Sequence, residues 1–179
     1  ISLPSTNPFS KVSLINLLIS SWLKSSSIAF PIISSKVKFE NLSHVEQVLV
    51  KMAIETRRNA YAPYSEYKVG AAVLATNGKI YAGCNVENVV YKVPHAEENA
   101  ISAMSLDGGR QIIALCCVSE HIGAPCGNCR QLMWEFCNNN PSVRFVGADL
   151  KGNIKIWTIG ELLPEAFGPK NLGIDPEKY

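Results

Sequence analysis

The chain has 179 residues, of which 47% are hydrophobic and 18% are charged, so its composition is that of a folded domain and not of a disordered regulator. Its formal net charge is +2. Most of the excess positive charge lies in residues 1–40, which contain four lysines and one glutamate, and residues 41–179 carry a net charge of −1. This balance argues against a protein that binds the phosphate backbone of nucleic acids.

Residues 1–40 differ in composition from the rest of the chain. They contain eleven serines, no arginine and a short apolar stretch at residues 12–19, which is shorter than the roughly 20 apolar residues of a membrane span. We interpret residues 1–40 as a serine-rich leader or a non-native extension and expect them to be disordered. A segment that targets an organelle is an open alternative. The folded domain is predicted over residues 41–179.

The first predicted element of this domain is an amphipathic helix. Apolar residues recur at helical spacing from residue 42 onward. Ser43, followed three positions later by Glu46, has the sequence pattern of a capping box at the helix start. A proline at position 63 disfavours helical geometry in the residue before it, so we expect the helix to end near Tyr61.

Strands and helices alternate along the rest of the chain. Two β-like runs, 69–74 and 79–83, flank Asn77-Gly78, a dipeptide typical of tight hairpins. The later predicted elements are a helix at 95–106, a buried strand at 111–119, a helix at 126–137, strands near 143–149 and 153–157, and a short helix around 161–163. This order predicts an α/β fold: a three-layer α/β/α sandwich with a central mixed sheet of about five strands.

Two short motifs supply candidate metal ligands. His95-Ala96-Glu97 is followed, 29 residues after Glu97, by Cys126 and Cys129 in the sequence PCGNC. One imidazole and two thiolates suit a catalytic Zn²⁺ with an open coordination position, and Glu97 adds a carboxylate that need not bind the metal. The combination H-x-E with P-C-x-x-C is the signature of zinc-dependent nucleobase deaminases. If both motifs begin helices, the helix N-termini would favour ionised thiolates.

Two other interpretations of the cysteines explain less. A closed structural zinc site needs a fourth protein ligand, and the remaining candidates lie in contexts that are already accounted for: Cys84, Cys116, Cys117, Cys137 and His121. A thioredoxin-like redox pair at Cys126 and Cys129 leaves the His95-Ala96-Glu97 motif unexplained. We therefore expect one zinc ion per subunit, bound by His95, Cys126 and Cys129, with Glu97 as the catalytic acid and base.

From residue 42 to residue 172 the chain resembles the cytidine deaminase family. The segments that carry the resemblance follow the family's order: APYS at 62–65, VGAA at 69–72, CNVEN at 84–88, HAE at 95–97, PCGNCRQ at 125–131 and LPEAFGPK at 163–170. The resemblance implies hydrolytic deamination of cytidine and deoxycytidine to uridine and deoxyuridine, with release of ammonia, as part of pyrimidine salvage in the cytoplasm. It implies a homotetramer, with a homodimer as the alternative, and no nucleic-acid or membrane partner.

The resemblance also implies substrate contacts. Asn85 and Glu87 would hydrogen-bond to the ribose hydroxyls, Tyr67 would stack on the pyrimidine, and the backbone N–H of Ala96 would help to hold the base. Phe167 would enter the active site of a neighbouring subunit. Tyr91 is a further candidate, either for the sugar or for the contact between subunits.

Three departures from the family pattern bear on substrate and metal. His95 stands where many small tetrameric members have a third cysteine, and Glu98 occupies the position of an arginine that offsets the extra thiolate. The segment between Glu87 and His95 is about one residue shorter. This shorter segment motivates an alternative function, deamination of a modified cytosine nucleoside such as a blasticidin-like antibiotic or an N4-substituted cytidine. A module that edits or binds cytosine in a polynucleotide is the weaker alternative.

Overall fold

The computed structural model describes residues 36–179, so all but the last five residues of the predicted leader lie outside the described residues. The strands are β1 (Lys36–Val37), β2 (Gly70–Ala75), β3 (Ile80–Cys84), β4 (Ile112–Ser119), β5 (Arg144–Asp149) and β6 (Ile154–Thr158). The helices are α1 (His44–Arg57), α2 (Ala96–Leu106), α3 (Gly127–Phe136) and the short α4 (Ile159–Leu162). None of the helices in residues 36–179 is long and apolar enough to cross a membrane.

The strands form one mixed sheet in the order β1-β6-β5-β4-β2-β3. Only β4 and β5 pair in parallel; the other neighbours pair antiparallel. The parallel pair is joined by a crossover through α3, as a parallel connection requires. The predicted mixed sheet is confirmed, with five longer strands and the two-residue β1 added at one edge. Residues 36 and 37 therefore join the sheet ahead of the predicted boundary at residue 41.

Helices cover both faces of the sheet. Ala71 and Val73 of β2 pack in one apolar cluster with Ala100 of α2 and Met133 of α3. Gly70 and Ala72 lie on the opposite face of β2 from Ala71 and Val73, because successive residues of a strand alternate between its faces. Gly70 lies directly against the backbone of α1. The sheet is thus sandwiched between α1 on one side and α2 with α3 on the other, which confirms the predicted three layers.

The first helix begins where it was predicted and ends earlier. Ser43 N–H donates to Glu46 Oε2 at 2.9 Å, and Glu46 N–H donates to Ser43 Oγ at 3.3 Å, so the predicted capping box is present. The helix ends at Arg57 and not near Tyr61. Residues 58–60 form tighter turns, and Tyr61 N–H donates to the Asn85 carbonyl oxygen at 3.1 Å. A long-range backbone contact therefore replaces the last predicted helical turn.

The position of α2 depends on a glycine in β3. A Cβ atom at Gly83 would lie 2.4 Å from both the Ala96 carbonyl oxygen and the Ala100 backbone nitrogen. These are backbone atoms of α2, so only a residue without a side chain lets the helix approach the strand this closely. The chain segment that begins with His95 is thereby held against the carboxyl-terminal end of β3.

We expect Gly83→Ala to lower the free energy of unfolding by about 1–3 kcal/mol, because the added methyl group must push α2 away from β3. Gly123→Ala is the matched control, since a Cβ there meets no atom within 4 Å and the change should stay within about 0.5 kcal/mol. Urea denaturation of both variants measures the difference. Equal stability of the two variants would show that the close approach is not a constraint.

Candidate active site

The sheet register brings several loops to one edge. Gly70, the first residue of β2, pairs with Cys84 on one side and with Val118 on the other. The start of β2 and the ends of β3 and β4 therefore lie side by side. The segments that leave these ends carry most of the predicted site residues, and the helices α2 and α3 begin at the same edge.

The three predicted metal ligands converge there. His95 is the N-cap residue of α2, Cys126 is the N-cap residue of α3, and Cys129 lies in the first turn of α3. The Nδ1 atom of His95 is 3.3 Å from the Sγ atom of each cysteine. All three ligand atoms lie within 4.8 Å of one another, and no other acidic, histidine or cysteine side chain in residues 36–179 joins the group.

This donor set fits zinc. One imidazole nitrogen and two thiolate sulfurs are preferred Zn²⁺ ligands, and a set of three leaves a fourth position open, as in catalytic sites. Cys129 is fully buried and Cys126 is exposed, so the centre lies at the boundary between the core and the solvent. The predicted zinc site at His95, Cys126 and Cys129 therefore has the geometry and the chemistry that the ion requires.

The ionisation of Cys129 depends on more than the helix start. Burial raises the pKa of the Cys129 thiol, and the nearby Glu97 carboxylate raises it further. The helix N-terminus, which favours the thiolate, is therefore opposed by burial and by Glu97 at this position. A bound cation supplies the missing charge, since metal binding displaces the thiol proton.

Glu97 is held beside the ligands without joining them. It is the second residue of α2 and only 5% exposed, and it lines the pocket together with His95 and Cys126. Burial raises the pKa of its carboxyl group, while His95 and a hydrogen bond with Cys129 act in the opposite direction. A carboxyl group in such an environment is suited to exchanging protons with a bound molecule.

A pocket of about 380 Å³, within the size range of small-molecule sites, is lined by His95 and Cys126 of the ligand cluster. Four predicted substrate contacts line it: Tyr67, Asn85, Glu87 and Ala96. Ala96 is the first residue of α2, and the backbone N–H groups of a first helical turn have no partner within the helix. Such a group is available to a ligand oxygen or nitrogen.

Asn85 and Glu87 also hold the pocket wall together. The Asn85 side chain accepts a hydrogen bond from Val69 N–H at 2.8 Å and donates one to the Tyr67 carbonyl oxygen at 2.9 Å. Glu87 accepts from Tyr64 N–H at 2.8 Å and from both the backbone N–H and the hydroxyl of Ser65. The hydrogen bond from the Ser65 hydroxyl holds the pKa of the Glu87 carboxyl below its ordinary value.

The two remaining aromatic candidates lie outside this pocket. Phe167 is 61% exposed and does not line it; its carbonyl oxygen accepts a hydrogen bond from Gln131 Nε2 at 2.9 Å. Tyr91 is 78% exposed, and its ring packs against Tyr64 with 5.7 Å between centroids. Tyr91 lines a second cavity next to the first, with which it shares Glu87 as a wall.

Some contributors were not identified from the sequence. Cys117 was interpreted only as part of a buried strand, but it lines the pocket beside Glu97. Strand alternation places it on the opposite face from Cys116, and this signal could have revealed it. Arg130 donates to the carbonyl oxygens of Pro125 at 2.6 Å and Leu162 at 3.0 Å, and so orients the loop that carries Cys126. No local pattern indicates those two partners.

Comparison with known proteins agrees with this geometry. Residues 43–143 match the family described as the cytidine and deoxycytidylate deaminase zinc-binding region. A cytidine deaminase from Sporosarcina psychrophila is 41% identical over 133 residues, which cover 73% of this chain and 96% of that protein. A crystal structure of cytidine deaminase from Burkholderia pseudomallei has 38% identity and a TM-score of 0.64, covering 70% of this chain and 100% of that one. One from Mycobacterium leprae has 35% identity and a TM-score of 0.58.

The fold and the site thus define a hydrolytic enzyme of the zinc-dependent deaminase class. The chain belongs to the cytidine deaminase family.

Cys129→Ala should abolish stable zinc binding, because two ligands cannot hold the ion tightly and zinc binding is coupled to folding. Metal analysis of the purified protein and its melting temperature with and without a chelator measure the effect. Cys137→Ala is the matched control: it removes another buried thiol, whose Sγ donates a hydrogen bond to the Trp134 carbonyl oxygen and lies outside the ligand cluster. The control should keep its zinc. Zinc retained at the wild-type level by Cys129→Ala would contradict the ligand assignment.

Proposed function

We propose that this enzyme converts cytidine and deoxycytidine to uridine and deoxyuridine with release of ammonia, in pyrimidine salvage in the cytoplasm. The observation that carries the proposal is the buried Glu97 carboxylate beside the cluster of His95, Cys126 and Cys129 at a pocket of nucleoside size. The net charge of −1 on residues 41–179 favours free nucleosides over polynucleotides. The relatives named above, all cytidine deaminases, support the same substrate class.

Different residues of the pocket would act on the base and bind the sugar. Bound zinc would supply a Lewis acid that lowers the pKa of water so that it can attack at neutral pH. Glu97 would take a proton from the attacking water and deliver it to N3 of cytosine as the water adds to C4. It would then take the remaining proton from the hydroxyl added at C4 and pass it to the amino group, so that the C4–N bond breaks, ammonia leaves and C4 becomes the carbonyl of uridine. A carboxylate held beside both water and ring can perform both transfers.

The far end of the pocket would bind the sugar. Glu87 would accept hydrogen bonds from ribose hydroxyls, and the Asn85 amide could accept one or donate one to them. Tyr67, at the pocket rim and partly exposed, would stack on the pyrimidine. The hydrogen bonds that Asn85 and Glu87 make to the backbone of residues 64–69 keep both side chains in place before substrate arrives.

A substrate panel tests the proposal. Purified, zinc-loaded protein is incubated with cytidine, deoxycytidine, cytosine, CMP, N4-substituted cytidines, a blasticidin-like nucleoside and single-stranded DNA, and ammonia and products are followed. We expect the highest kcat/KM for cytidine and deoxycytidine. A modified nucleoside as the best substrate would replace the proposed one with the alternative. A rate on DNA that equals the nucleoside rate and falls steeply with salt would refute the assignment to free nucleosides.

Glu97→Gln should lower kcat by a factor of about 10² to 10⁴ or more, because the amide keeps the shape of the side chain and removes the proton acceptor. Zinc content and melting temperature should stay at the wild-type level, since Glu97 is not a member of the ligand cluster. Steady-state kinetics and metal analysis on the same preparation measure both. Activity within a few-fold of wild type would overturn the role of Glu97.

We further propose that the active site is completed by a neighbouring subunit in a homotetramer, with a homodimer as the alternative. The support is the position of Phe167: its backbone is fixed to α3 through Gln131, while its ring is largely exposed and away from its own pocket. Adding a Cβ to the next residue, Gly168, would bring it within 2.5 Å of the Trp134 ring, so the tail is tightly docked. A fixed, exposed aromatic ring suits a contact with a second chain.

Phe167→Ala should therefore raise KM for cytidine about fivefold and leave stability nearly unchanged, since one aromatic contact contributes about 1 kcal/mol beyond its buried area. Co-assembly locates the contact. Chains with Glu97→Gln and intact Phe167, mixed with Phe167→Ala chains, should restore part of the activity of the latter. Activity no greater than that of the separate preparations, or a fully active monomer at assay dilution, would assign Phe167 to its own subunit.

A further inference from the structure

The carboxylate of Glu98 joins the two helices that carry the metal ligands. Its Oε2 atom accepts a hydrogen bond from the backbone N–H of His95 at 2.6 Å. Its Oε1 atom accepts one from the Asn128 side-chain Nδ2 at 2.5 Å. Asn128 lies in the first turn of α3, between Cys126 and Cys129 in the sequence. One side chain thus touches the starts of both α2 and α3.

The cap of α2 differs from the caps of α1 and α4 because its N-cap side chain is a predicted metal ligand. In α1 and α4 the N-cap hydroxyls of Ser43 and Thr158 accept a backbone hydrogen bond from the first turn, and the carboxylate of a glutamate three residues later accepts one from the N-cap backbone N–H. In α2 the imidazole of His95 instead points its Nδ1 at the two cysteine sulfurs. Glu98 therefore provides the glutamate half of the cap and fixes the backbone of a ligand residue.

We propose that Glu98 and Asn128 form a clasp that holds the two ligand-bearing helix starts together and so sets the affinity of the centre for zinc. Glu98 is a positioning residue, since it acts through His95 and Asn128 and does not bind the metal. The clasp rests on the zinc site of the proposed function. Groups that orient metal ligands from outside commonly change metal affinity by about 10- to 100-fold when they are removed.

Four variants separate the hydrogen bonds of the clasp from its charge. Glu98→Ala removes both bonds and should weaken zinc binding by about 10- to 100-fold. Glu98→Gln removes the charge but keeps both hydrogen bonds possible. The glutamine oxygen can still accept from His95 N–H, and the glutamine nitrogen can donate to the Asn128 side-chain oxygen after the Asn128 amide rotates by about 180°. This variant should stay within about threefold of wild type. Asn128→Asp opposes two carboxylates and should bind zinc more weakly than wild type.

The fourth variant combines Glu98→Gln with Asn128→Asp. The new amide at position 98 can then donate to the new carboxylate at position 128, at the same net charge as wild type. Zinc affinity should return to within about threefold of wild type. Recovery in the double variant distinguishes a direct bond between the two positions from two separate structural losses, because independent effects would add.

Glu161→Ala is the matched control. Glu161 Oε2 accepts from Thr158 N–H at 2.7 Å, the same bond that Glu98 makes to His95, but in α4 and outside the ligand cluster. The control should lower the melting temperature slightly and leave zinc affinity unchanged. Zinc dissociation constants come from competition with a chromophoric chelator. The visible spectrum of the Co²⁺-substituted protein reports the geometry of the ligands, and the melting temperature is measured on metal-free protein.

Wild-type zinc affinity in Glu98→Ala would overturn the clasp. So would a Glu98→Gln variant as weak as Glu98→Ala, because the charge and not the bonds would then matter, or a double variant no tighter than Asn128→Asp. If Glu98→Ala does not fold, the two variants at the exposed position 128 decide the question alone. If the wild-type protein shows no deaminase activity, the proposed function fails but the clasp is still tested, since zinc affinity is measured without any nucleoside.

Discussion

The register between β2 and its two neighbours determines where the chemistry of this protein lies. Because Gly70 pairs with both Cys84 and Val118, the chain leaves β3 and β4 at the edge where it enters β2. A slip of one residue would turn every side chain of a strand to the opposite face and separate Asn85 and Glu87 from the metal ligands. Gly83 adds a second constraint, since it lets α2 lie against β3 with His95 at the correct end.

Several acidic groups lie close together at the predicted metal centre. Two acidic side chains, Glu97 and Glu98, lie in the first turn of α2, and Cys129 is buried next to Glu97. Without a cation, burial and the Glu97 carboxylate both raise the pKa of the Cys129 thiol, because a buried negative charge disfavours a second one nearby. A divalent ion relieves this repulsion and binds the imidazole and the thiolates together. Metal binding, the state of the cysteines and the order of the two helix starts are therefore one coupled property.

Local patterns in the sequence predicted much of this arrangement, and long-range contacts account for what they missed. The capping box at Ser43 and each of the two motifs that carry metal ligands follow from spacing within a few residues. The end of α1 was predicted too late, because Tyr61 pairs with Asn85, which lies 24 residues further along the chain. The bond between Glu98 and Asn128 also joins distant segments, and neither residue carries a motif that indicates it.

The hydrogen bonds of Glu87 restrict how this pocket can change during evolution. The same carboxylate that lines the pocket also holds the backbone of Tyr64 and Ser65. Replacing Glu87 to admit a different ligand would also remove the hydrogen bonds that hold the pocket wall. A mutation at this position therefore changes ligand binding and local stability together. The neighbouring residues 89–91 are exposed, and the backbone N–H groups of Val90 and Tyr91 donate hydrogen bonds to Asn88. Tyr91 packs against Tyr64 of the wall, but mutations of Val89 and Val90 can accumulate without damage to it, and divergence among relatives should begin at these two valines.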